Sequence, residues 1–289
     1  MDTCDDPGKQ VELTRRKLIA SGAATGFVAG FALSVQPVVA QSPIVTDSAG
    51  LDAGAVQIPT PTGPIPGYRA VPAGGRNRPL MLVAHEIFGV HEQIRDVCRR
   101  LAKLGYCAVA PYLYHRQGDV TGLKTLAELL PLLAKVPDSQ VMSDLDATVA
   151  WAVASGAADQ RRLGITGFSW GGIIVWLYAV HNPSVKAGVA WYGRLAGPKN
   201  ENNPAHPVDV APRIKVPVLG LYGGADAGVP LATVEQMRQA LGPGSRSMIH
   251  VYPDMPHGFF ADYRPSYREA AAKDGWQRLI DWFKKAGVA

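Results

Sequence analysis

Leu163-Gly164-Ile165-Thr166-Gly167-Phe168-Ser169-Trp170-Gly171-Gly172 is the stretch on which the reading of this chain turns. Residues 163–166 have the length and apolar character of a buried strand, and residues 172–181 have the pattern of a helix. Between them lies Gly-x-Ser-x-Gly. A serine between a strand and a helix, with glycine two residues away on each side, is the pattern of a nucleophile elbow. The glycines let neighbouring backbone approach a strained turn without a side-chain clash. The turn exposes the hydroxyl and aims a helix amino terminus at charge developing on a substrate oxygen.

Working outward, the same alternation repeats. Leu80 to Ala84 is a continuous apolar run, as expected of a parallel strand buried on both faces. Ile94, Val97, Cys98, Leu101 and Leu104 share one helical face over residues 91–104, and Gly105 stands just past the end. Tyr106 to Ala110 reads as the next strand, and residues 122–135 and 143–154 read as helices. Past the serine, strands are expected at 187–191, 216–222 and 248–252, with helices at 230–241 and 266–285. This order predicts an α/β fold, a single domain with a mostly parallel central sheet and helices on both faces.

A serine hydroxyl is a poor nucleophile without a base. In folds of this kind the acid and the histidine follow the serine in that order. Asp226 ends the run Gly223-Gly224-Ala225-Asp226 after a strong strand. Of the seven histidines, His257 alone follows Asp226 in a loop at the carboxyl end of a strand. Ser169, His257 and Asp226 are therefore the candidate nucleophile, general base and orienting acid. The oxyanion is expected to meet the backbone N–H of Trp170 and, from the loop after residues 80–84, that of Ile87.

The amino terminus reads as an address. Thr14-Arg15-Arg16-Lys17-Leu18 precedes a weakly apolar stretch rich in Ala and Gly, then Pro37-Val38-Val39-Ala40-Gln41. Residues 1–40 are thus an expected twin-arginine-type export signal cut after Ala40. That implies the export machinery as a partner, a periplasmic or secreted destination, and no stable membrane insertion after cleavage. Residues 41–67, rich in Pro, Gly, Ser and Thr, read as a loose lead-in holding at most one short strand, with the folded domain over 68–289. The 289 residues are 47% hydrophobic, enough for one well-buried core. A net charge of +5 with no basic tract interleaved with aromatics argues against a nucleic-acid partner. Cys4, Cys98 and Cys107 form neither a disulfide framework nor a zinc pattern. No metal or organic cofactor is implied.

Taken together, His85-Glu86-Ile87-Phe88-Gly89-Val90, Ala110-Pro111-Tyr112-Leu113-Tyr114, the serine pentapeptide, Tyr222-Gly223-Gly224-Ala225-Asp226 and His257-Gly258-Phe259 resemble the dienelactone hydrolase (carboxymethylenebutenolidase) family over residues 68–286. The resemblance implies a compact α/β-hydrolase without a large lid domain, acting on a small ester or lactone. Members of that family characteristically use a cysteine where this chain has Ser169. Glu86 matches a glutamate that contacts the cysteine in the resting enzyme, and Arg116 matches an arginine that binds a substrate carboxylate. A second family arginine falls at Ala261, with Arg264 nearby. Two other readings are compatible with the same fold: a non-catalytic binding protein, and an acyl transferase or peptidase.

Overall fold

A computed structural model describes residues 43–289 apart from 119, 121, 122, 124 and 125. The expected export signal and the start of the helix expected at 122 lie outside the described residues.

Eight strands form one sheet in the order β1-β2-β4-β3-β5-β6-β7-β8. They are β1 Leu51–Ile58, β2 Ile65–Pro72, β3 Arg78–Ala84, β4 Cys107–Pro111, β5 Ala158–Phe168, β6 Val185–Trp191, β7 Val218–Gly223 and β8 Met248–Tyr252. From β4 through β8 the pairing is parallel, while β1 and β2 are antiparallel to their neighbours. The main helices are α1 Glu92–Lys103, α2 Leu126–Leu133, α3 Asp138–Ala154, α4 Trp170–His181, α5 Pro207–Val210, α6 Leu231–Leu241 and α7 Glu269–Lys285.

Why the central strands are apolar without interruption follows from the layers. In β3, Leu80, Leu82 and Ala84 enter the core shared with Val141, Leu145 and Val149 of α3 and Ile174 of α4. Met81 and Val83 enter the opposite core, with Ile94, Val97 and Leu101 of α1 and Leu279 and Phe283 of α7. Alternate residues of one strand thus face two helical layers, so neither face can be polar.

The region expected to be a loose lead-in is instead structured. Residues 51–58 and 65–72 pair as a hairpin, from Leu51 opposite Pro72 to Ile58 opposite Ile65, and β2 continues the sheet against β4. Pro59, Pro61, Gly63 and Pro64 supply its turn; the composition that suggested a linker belongs to that turn. Residues ahead of β1 are also held: the Thr46 N–H donates to Asp96 Oδ1, Arg99 donates to the Thr46 carbonyl, and Lys103 pairs with Asp47.

β3 sends the chain to α1 on one face, and its neighbour β5 sends it to α4 on the other. The two exits open a crevice at the carboxyl edge of the sheet, where ligands bind in open α/β sheets.

Candidate active site

Ser169 sits where β5 ends and α4 begins, at φ 53° and ψ −112°. A non-glycine residue at positive φ is strained, and here the surroundings hold it. Its N–H donates to the Trp191 carbonyl at 2.9 Å, and its carbonyl accepts from the Gly172 N–H at 2.9 Å. A Cβ at Gly167 would lie 2.3 Å from the Gly171 carbonyl oxygen, and one at Gly171 would lie 2.1 Å from that of Ala84. No side chain fits at either place, which is the physical content of the pentapeptide.

The three residues picked from the sequence converge. Ser169 Oγ is 3.0 Å from His257 Nε2, and His257 Nδ1 is 2.7 Å from Asp226 Oδ2. A carboxylate can only accept, so Nδ1 carries the hydrogen and Nε2 keeps its lone pair for the serine hydroxyl. Asp226 is itself fixed: its Oδ1 accepts the N–H groups of Gly228 at 2.7 Å and Val229 at 3.2 Å. All three side chains are buried.

Ile87 and Trp170 line the same cavity as Ser169 and His257, a space of about 210 Å³. Trp170 opens α4, and the first N–H groups of a helix have no partner within it. The Ile87 peptide is held by Tyr114 Oη, which donates to its carbonyl at 2.7 Å. His85 holds the loop as well. The Leu113 N–H donates to its Nε2 at 3.1 Å, so its Nδ1 carries the hydrogen donated to the Glu86 carbonyl at 2.6 Å. Burial lowers the His85 pKa to about 4, which keeps this neutral tautomer.

Among the described residues, no hydrogen bond joins Glu86 to Ser169. Glu86 Oε2 accepts from Tyr263 Oη and from Arg264 Nη2 at 3.1 Å, with His91 Nε2 3.4 Å away at ion-pair distance. Burial pushes this carboxyl up, but Arg264 and His91 outweigh it and hold Glu86 ionised, well below the usual carboxylate range. Arg264 is 1% exposed and lies over the rings of Phe88 and Tyr263. Arg116, expected to contact substrate, is elsewhere. Its guanidinium makes two hydrogen bonds to Asp144, at 2.7 and 3.0 Å, and one to Thr60. The buried carboxylate of Asp144 takes the charge that the resemblance assigned to a substrate carboxylate.

What sequence reading missed is one wall of the cavity. Arg194, Asn200, Asn203 and His206, from the segment after β6, line it together with Asp138 at the start of α3. Burial lowers the Arg194 pKa and raises that of Asp138. Leu130, Leu133, Ile173 and Val229 line the cavity too, so the lining is both polar and apolar. The one hint in the sequence was Trp191-Tyr192-Gly193-Arg194, a charge directly after a strand at the sheet's carboxyl edge. Among the described residues, no group of three His, Cys, Asp or Glu could hold a metal ion, and no helix is long and apolar enough to cross a membrane.

Comparison with known proteins bears on this geometry. The sequence profile of the dienelactone hydrolase family matches residues 65–287. A Methylorubrum extorquens protein named carboxymethylenebutenolidase is 59% identical over 282 residues, covering 97% of this chain and 96% of that protein. A Salmonella typhimurium protein of the same name is 52% identical over 261 residues, covering 89% and 96%. A crystal structure described as a dienelactone hydrolase from Klebsiella pneumoniae superposes with a TM-score of 0.78 at 53% identity, covering 81% of this chain and 98% of that one.

Proposed function

The chain belongs to the dienelactone hydrolase family, and within that family of carboxylic ester hydrolases we propose that it works as a serine enzyme on a small ester or lactone, through an acyl-enzyme. The observation that carries this reading is the continuous hydrogen-bonded run from Ser169 through His257 to Asp226, opening on the cavity. Ser169 Oγ attacks the carbonyl while His257 Nε2 takes its proton. Asp226 stabilises the imidazolium that results. The N–H groups of Trp170 and Ile87 receive the oxyanion. His257 then returns the proton to the leaving oxygen, and water repeats the sequence in reverse order on the acyl-enzyme.

The small cavity favours a compact substrate, with its apolar part against Leu133, Ile173 and Val229 and a polar or anionic part towards Arg194 and His206. The test is a panel of activated aryl esters and lactones, with and without a carboxylate, on the wild type and Ser169→Ala. The variant is expected to lose on the order of 10⁴-fold or more in kcat while folding normally. Near-normal turnover by folded Ser169→Ala would overturn the assignment. An initial burst of leaving group, one per active site, is expected for the acyl-enzyme.

Arg15 and Arg16 support export in a folded state. Replacing both by lysine is expected to retain the protein in the cytoplasm; unchanged export in cell fractions would remove that part of the reading.

A further inference from the structure

At the sheet edge opposite Ser169, the amino ends of β6, β7 and β8 meet the last turns of α4 and α7 around a groove of about 980 Å³. Lys186, Arg213, Lys215, Arg246 and Lys285 line it, and no acidic residue does. Elsewhere on the surface, arginines and lysines are commonly matched: Arg161 and Arg162 with Asp159, Lys199 with Asp209, Lys273 with Glu269, Arg278 with Asp274. Among the described residues none of the five groove cations is in an ion pair. The polar contact made by their side chains is a hydrogen bond from Arg246 Nη2 to the Lys215 carbonyl, which gathers two of them more closely. The chain's whole formal excess is +5, so five unmatched cations in one concavity are a marked concentration of it. They come from well-separated segments, which is why no basic tract marks them in the sequence.

Like charges gathered in a cleft raise its potential and draw anions to it. The groove also runs into a smaller one of about 370 Å³, which shares Pro217, Arg246, Lys285 and Ala286 and adds Met248 and Trp282. Met248 is 58% exposed there. A soluble anion gains nothing from an exposed methionine beside a tryptophan. A bilayer surface uses both features: phosphate headgroups against lysine and arginine, and apolar side chains reaching the acyl boundary.

We propose that this face docks the protein reversibly on an anionic phospholipid bilayer, with the catalytic cavity turned to solvent. Each basic residue near such a surface contributes about a fivefold gain in partitioning. Removing three is expected to weaken binding about a hundredfold.

The experiment is co-sedimentation of the whole protein with phosphatidylcholine vesicles, with and without phosphatidylglycerol. Binding is expected only with phosphatidylglycerol, and is expected to fall as salt rises. Lys215→Glu with Arg246→Glu and Lys285→Glu is expected to abolish it while leaving aryl-ester turnover in solution unchanged. Met248→Gln is expected to weaken it while keeping its salt dependence. Inorganic tripolyphosphate and duplex RNA are the competing probes. Failure to bind phosphatidylglycerol vesicles, or equal binding with and without phosphatidylglycerol, overturns the proposal. So does tight binding of either competing probe without vesicle binding, or undiminished vesicle binding by the folded triple variant. Should the triple variant misfold, the salt titration of the wild type and Met248→Gln still decide.

Discussion

Replacing Gly171 by alanine probes the contact on which the whole site depends. A Cβ there would lie 2.1 Å from the Ala84 carbonyl oxygen, 2.6 Å from its carbon and 2.8 Å from the His85 carbonyl oxygen. These are backbone atoms, so no side chain can rotate away to make room. The first turn of α4 must part from the exit of β3 by about 1 Å, and a misplacement of that size costs about 100-fold in rate. The exit of β3 leads within three residues to Ile87, and the first turn of α4 carries Ser169 and Trp170. The displacement therefore separates the two proposed oxyanion donors from each other and from the nucleophile. Forcing an extra methyl into a close-packed site also costs about 2 kcal/mol, or roughly 4–8 °C in Tm for a domain of this size. The assay is kcat and KM on an activated aryl ester beside thermal unfolding by circular dichroism. A fall in kcat of about two orders of magnitude, larger than any change in KM, is expected. Gly244→Ala is the control, because nothing lies within 4 Å of its added Cβ and its φ is ordinary. Wild-type kcat and Tm in Gly171→Ala would show that the two segments are not rigidly opposed, and the reasoning would fail.

Ser169→Cys is expected to retain measurable turnover of activated esters above that of Ser169→Ala, since His257 can serve a thiol as well; equal inactivity in folded protein would show a site closed to cysteine chemistry. Stability is expected to fall as pH drops from about 6.5 to about 4, because buried His85 resists protonation until about 4 while the unfolded chain takes the proton near 6.5. The loss attributable to this residue is about 3 kcal/mol, and denaturant titrations of His85→Gln are expected to show a flatter acid limb; an unchanged limb would exclude His85 as its source. Arg194→Gln is expected to raise KM for carboxylate-bearing esters more than for neutral ones; an equal effect on both would mean that Arg194 supports the wall without meeting the substrate.

Much of the site was legible because it depends on chain order and on short-range geometry. Gly167, Ser169 and Gly171 must be adjacent for the elbow to form, and Asp226 and His257 each follow a strand whose apolar run is unmistakable. Ile87 and Trp170 were legible as neighbours of the serine for the same reason, and both line the cavity with it. Features that depend on which distant segments meet were not. Nothing near Arg116 announces that Asp144, across the core on α3, will take its charge. The polar cavity wall joins Asp138 to Arg194 and His206, more than fifty residues away. The β1–β2 hairpin was missed because an antiparallel edge strand needs neither a long apolar run nor strict alternation: β1 buries only Ile58 fully. The proposed export signal falls outside the described residues, and its reading rests on Arg15, Arg16 and the small residues before Gln41.

The surroundings of Glu86 fit a serine as the proposed nucleophile at position 169. A thiol can be ionised before it attacks, and a mobile carboxylate beside it could take its proton. A serine hydroxyl loses its proton only during attack, so it needs one base at hydrogen-bond distance and no competing charge. Here His257 supplies that base at 3.0 Å, while Glu86 is turned into a buried pair with Arg264 and bonded by Tyr263. Removing either partner of such a pair would leave the other charged and unmatched in the interior, at a cost of about 3–5 kcal/mol. The pair is therefore difficult to open. In the proposed mechanism that leaves His257 and Asp226 as the groups that set the protonation of Ser169, with Glu86 in a structural part: its bonds to Tyr263 and Arg264 anchor the loop that carries Ile87 against the segment following His257.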